Sequence, residues 1–158
     1  MKKKVYIYVG HSNWGKSMAL KVLTGGSSHK KVATISGKTI RVRKMSNDDD
    51  GKGLLEWVQD IPRINYERFI IAFCPKFQPI SGEATEEQNT ALDILTELQK
   101  TNDLFFFVQK EKFNDSSQQI SQDEINWISA YGTVQILTGH NQNSIRAADF
   151  EKFIAANI

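Results

Sequence analysis

The residues with the most specific chemistry stand near the start of the chain, in the run Gly10-His11-Ser12-Asn13-Trp14-Gly15-Lys16-Ser17. They satisfy the spacing G-x-x-x-x-G-K-[ST] at every fixed position. That spacing suits a phosphate. Successive backbone N–H groups have to converge on phosphate oxygens, and Gly10 and Gly15 permit the backbone conformations this needs. A helix beginning at Lys16 turns its first N–H groups, as far as Met18, and its positive dipole end toward the same anion. Lys16 brings a point charge to the β and γ phosphates and is a catalytic candidate. Ser17 offers its hydroxyl to Mg²⁺. With glycine near its usual abundance, such a match arises by chance in about one chain of this length in a hundred.

Other reactive side chains form no recognisable constellation. His11 reads as a solvent-facing member of the loop, since the backbone does the binding. Trp14 reads as packing beneath the loop. Cys74, the single cysteine, ends an apolar run before Pro75 and reads as an inert core thiol. His29 and His140 have no Cys or His at metal-ligand spacing. No Ser-His-Asp or Cys-His arrangement can be recovered from the sequence.

The elements that must position the loop follow from periodicity. Val5 to Val9 is a β-branched and aromatic strand directly before it. Ala19, Leu20 and Leu23 recur at helical spacing after it, and Gly25-Gly26 ends that helix. Lys31 to Ile35 and Lys38 to Met45, joined by Ser36-Gly37, predict a hairpin near a sheet edge. A helix through Leu54, Leu55, Val58 and Ile61 closes at Pro62. Phe69 to Cys74 and Leu104 to Val108 are continuously apolar, as strands buried on both faces are. Thr85 and Ser121 open capping boxes for two further helices. Gly132 ends the second of these, Val134 to Leu137 is a last strand, and a terminal helix starts at Ser144. The order predicts a three-layer α/β domain over residues 1–158, with six strands in a mostly parallel sheet, one strand antiparallel, and five helices.

Composition narrows the function classes. The chain has 158 residues and a formal net charge of +2, so charge alone gives no case for nucleic acid. No apolar run approaches the roughly 20 residues of a membrane span, and one cysteine leaves no intramolecular disulfide. These features point to a cytoplasmic protein.

In its element order and in Gly10-x-Ser12-Asn13-x-Gly15-Lys16-Ser17, the chain resembles a Ras-like P-loop GTPase domain of the Era and EngB type. The resemblance implies bound GTP or ATP with Mg²⁺, a protein effector, and a K⁺ ion beside Asn13. It implies a D-x-x-G element at Asp48-Asp49-Asp50-Gly51, with Asp48 on the metal side and Gly51 as the γ-phosphate amide. The catalytic water residue would then be Lys52, which cannot accept a proton at neutral pH, so hydrolysis is expected to be slow. Guanine-specific members carry N-K-x-D after the fifth strand. Here the corresponding residues are Gln109, Lys110, Glu111 and Lys112, with Thr138, Gly139 and His140 after the last strand. A lysine at 112 replaces the carboxylate that guanine needs, which leaves GTP and ATP both open. The expected function is a slow NTPase switch. The alternatives are a nucleotide-binding module without catalysis and an ATP-dependent kinase of small molecules.

Overall fold

The computed structural model describes residues 2–75, 86–137 and 142–158. β1 (Lys3–Val9) lies in the middle of the molecule because both of its faces are apolar. Val5, Ile7 and Val9 point to one side, Tyr6 and Tyr8 to the other, and all five are fully buried. It pairs in parallel with β4 (Arg68–Phe73) on one flank and β5 (Asn102–Gln109) on the other. The six-stranded sheet runs β2-β3-β4-β1-β5-β8, where β2 is Val32–Ile35, β3 is Lys38–Arg43 and β8 is Thr133–Leu137. Only β2 is antiparallel to its neighbour. Ser36 (φ 52°) and Gly37 (φ 75°) make the β2–β3 turn with two left-handed residues, the geometry a two-residue hairpin requires.

Helices cover both faces, so the expected three layers with a mostly parallel sheet are present. α1 (Lys16–Leu23) and α5 (Asn143–Ala156) bury Ala19, Leu20, Phe150, Phe153 and Ile154 against Tyr6 and Tyr8. On the opposite face lie α2 (Asn47–Asp60), α3 (Glu86–Thr101) and α4 (Gln122–Ser129), contributing Leu54, Leu95 and Ile125 among others. A 3₁₀ turn, Ile61–Arg63, follows α2 and contains Pro62.

Two features depart from the expected order. α2 begins at Asn47, so Asp48 to Gly51 form its opening turns and not a loop. The cause is a capping box at Ser46, whose Oγ accepts from Asp48 N (3.4 Å) while Asp49 Oδ2 accepts from Ser46 N (3.2 Å). After β5 there is also a small two-stranded sheet, β6 (Glu111–Lys112) with β7 (Asp115–Gln119). Its strands are too short and too polar to show a hydrophobic period.

Candidate functional site

The β1–α1 connection is built as its residue types demand. Gly10 N donates to Phe73 O at 3.1 Å, which ties the loop to β4. A side chain at Gly10 would stand 3.3 Å from Lys16 Cγ, so glycine leaves room for the lysine stem. Asn13 (φ 65°) and Gly15 (φ 83°) are both left-handed, which turns the chain sharply before α1. Asparagine is among the few side chains that visit this region readily, so the backbone itself gives a reason for Asn13. Gly15 is the N-cap of α1 and has no side chain with which to cap the first turn.

Lys16 is buried, and its Nζ donates to His11 O at 2.8 Å. It also lies 3.6 Å from Asp48 Oδ1, an ion pair in which both side chains are largely shielded from solvent. Asp48 Oδ2 accepts from Ser12 Oγ at 2.8 Å, whereas Oδ1 is buried without a hydrogen-bond partner. The first turns of α1 and α2 therefore converge on one lysine–aspartate pair. Beside it is a cavity of about 530 Å³, lined among others by Ser12, Lys16, Ser17, Asp48, Phe113 and Asn143.

Of the expected phosphate-binding residues, Ser12, Asn13, Gly15, Lys16, Ser17 and Met18 line this cavity; Gly10, His11 and Trp14 do not. Gly10 and Trp14 are buried, and Trp14 packs in the core as expected. His11 corrects the expectation of a solvent-facing residue. Its Nε2 is 3.3 Å from Glu124 Oε2, its Nδ1 is 3.8 Å from Cys74 Sγ, and its ring meets Trp14 edge to face. Three distant segments supply this thiol–imidazole–carboxylate chain, so no local spacing announces it.

Glu124 has a second task in the same place. Its Oε1 accepts from Ser121 N and Oγ, both at 3.0 Å, and so completes the capping box of α4. Removing the cap costs about 1 kcal/mol. Glu124→Ala should therefore destabilise the protein more than Ser121→Ala does, because it alone also strips His11 of its carboxylate. Urea midpoints of the two variants test this, and equal midpoints would exclude a contribution from the His11 contact.

The remaining expected residues fall elsewhere. Lys52 is exposed on α2 and does not line the cavity. Gly51 lies within α2, where helical geometry directs its N–H to the carbonyl four residues back and not to a ligand. Gln109 is buried and structural: Tyr8 OH donates to its Oε1 at 2.8 Å, and its Nε2 donates to Glu111 O at 3.1 Å. Lys110 carries backbone bonds to Leu137 O and from Ile120 N, and Lys112 pairs with Asp115 in the small sheet. None of these three lines the cavity. Thr138, Gly139 and His140 lie outside the described residues.

One functional candidate was not singled out by sequence. Arg146, on α5, is fully buried, and its Nη2 donates to Asn143 Oδ1. Its Nε and Nη1 have no hydrogen-bond partner. A Cβ added to Gly15 would lie 2.6 Å from Nη2, so the guanidinium sits directly behind the loop. Tyr8 feels it too: burial pushes the phenol well above its ordinary pKa, and the Arg146 charge partly opposes that rise.

No family model matches this sequence, and no curated protein matches it. Among solved structures the chain is similar to the flavodoxin-like domain of a Synechococcus protein, with 14% identity and a TM-score of 0.42 over 96% of this chain and 93% of that one. The expected membership of the P-loop GTPases is corrected accordingly: no such family is recovered, and a solved structure to which the chain is similar is a flavodoxin-like domain. The slow NTPase switch, its non-catalytic and kinase alternatives, and GTP or ATP as the ligand are withdrawn with it. The site geometry shows where the sequence argument fails. The supposed switch segment is a capped helix, and the first residue of the supposed base motif is bonded inside the core.

Proposed function

We propose that this protein binds a phosphate monoester of a small molecule in the cavity beside residues 12–18. The observation that carries the reading is the buried Lys16 at an uncapped helix N-terminus, reached through two left-handed residues. A buried ammonium is retained where a partner offsets its desolvation. Here the partner Asp48 stands at 3.6 Å, beyond hydrogen-bonding distance. A phosphate oxygen would complete the lysine's coordination and meet the first-turn amides of α1 at the same time.

Mg²⁺ fits beside such a ligand. Asp48 Oδ1, buried without a hydrogen bond, and the exposed Ser17 hydroxyl are the oxygen donors that would hold it. Its contribution would be to neutralise part of the phosphate charge.

Calorimetric titration with ribose 5-phosphate, with and without Mg²⁺, tests the reading. Saturable binding is expected, with ribose failing to bind. At about 100 times Kd the ester should stabilise the fold by about 2.7 kcal/mol. Identical behaviour of ribose and ribose 5-phosphate would overturn the proposal.

A further inference from the structure

The cavity is larger than a phosphate requires, and its lining includes one aromatic ring, Phe113, that the residues of the β1–α1 turn do not explain. Phe113 is the one apolar residue in the segment Glu111–Gln119, which is otherwise EK-NDSSQQ. It stands at the turn between β6 and β7, half-buried, and borders the cavity together with Asn143. Beneath it lies the guanidinium of Arg146, 5.3 Å from the ring centroid. The same guanidinium is fully buried, keeps two nitrogens without hydrogen-bond partners, and adjoins Gly15. A polar hairpin is thus anchored over the site by one ring seated on a buried cation.

We propose that the group esterified to the phosphate is a planar aromatic ring, which stacks on Phe113. This rests on the phosphate-binding reading above and names its ligand class. Rings stack on aromatic side chains without needing matched hydrogen bonds, and a cation beneath one ring holds it by attraction to its π face. Phe113 then selects the ring, Lys16 and the α1 amides hold the phosphate, and Arg146 fixes Phe113 while adding positive potential at the loop.

The test compares two probes on two proteins. 1-Naphthyl phosphate carries a planar ring and ribose 5-phosphate does not. Wild type should bind 1-naphthyl phosphate about tenfold more tightly, the order expected of one stacking contact. Phe113→Ala should remove that advantage, bringing the two probes to the same affinity. Phe113→Tyr, which keeps a stacking face, should retain it and so guards against a mere packing effect. Quenching of naphthyl fluorescence on wild type and its loss in Phe113→Ala give a second readout. If both probes bind wild type equally, or Phe113→Ala weakens both alike, the ring assignment is wrong while the phosphate site stands. If neither probe binds, the phosphate reading fails and this inference fails with it.

Discussion

Lys16→Ala is expected to weaken ribose 5-phosphate binding by roughly a hundredfold or more. Truncating one partner of a buried, charge-assisted contact costs about 2–5 kcal/mol, and each 1.4 kcal/mol is a factor of ten. The substitution has a second effect that must be separated from the first. Lys16 is the cation beside the buried Asp48, so its removal leaves a carboxylate shielded from water with Ser12 as its hydrogen-bond donor. The single variant should therefore also lose stability. Lys16→Ala combined with Asp48→Asn separates the two roles, because it removes the stranded charge without restoring the ligand's cation. Calorimetry should then show recovered stability and binding still weakened. A double variant that binds ribose 5-phosphate as wild type does would show that Lys16 serves folding and not the ligand.

The largest effect on stability is expected from Gly132→Ala. Sequence reading gives Gly132 the task of ending α4, but the helix already ends at Ser129, with Ala130 as its C-cap. The glycine has a different purpose. A Cβ at this position would stand 2.2 Å from Leu104 O and 2.9 Å from Leu104 C. Leu104 is paired with Val5 in the middle of the sheet, and the next residue, Phe105, is paired with Thr133. Backbone held from both sides cannot retreat as a flexible side chain could. Such overpacking costs about 3 kcal/mol, toward the upper end for inserted methyls, against a total stability of roughly 5–15 kcal/mol. Urea unfolding measures this directly. A loss under about 1 kcal/mol would mean that β5 and the segment before β8 can separate at small cost.

Much of the architecture was legible because burial imposes a period. The double-sided strands showed as unbroken apolar runs, the start of α1 as a helical period after Gly15, and the β2–β3 hairpin as Ser36-Gly37. What escaped was polar or assembled from distant segments. The cap at Ser46 is written as Ser46-Asn47-Asp48-Asp49, with aspartate where the capping box more often has glutamate, and it draws the acidic run into α2. The β6–β7 hairpin has no alternation to detect. Arg146 was legible in principle: it precedes Phe150 by four residues, and so shares the inward face of α5. An arginine among inward positions is usually discounted, and only the structure shows Gly15 and Phe113 closing over it. His11, Glu124 and Cys74 meet through tertiary packing alone. The resemblance to a GTPase rested on residues of the loop and on element order, both of which are compatible with other α/β chains.

The position of β1 also sets the timetable of assembly. The central strand is made before either of its neighbours, β4, about 65 residues later, and β5, about 100 residues later. Neither of its two interfaces can form until those stretches have left the ribosome. Closing such long loops precedes any reward from the core, which makes this a slow-folding topology. Through synthesis, Val5-Tyr6-Ile7-Tyr8-Val9 is an exposed, apolar strand with both edges open, the kind of segment that pairs with other chains. The lysines at positions 2, 3 and 4 flank that strand, and their charges oppose such pairing before the native partners arrive.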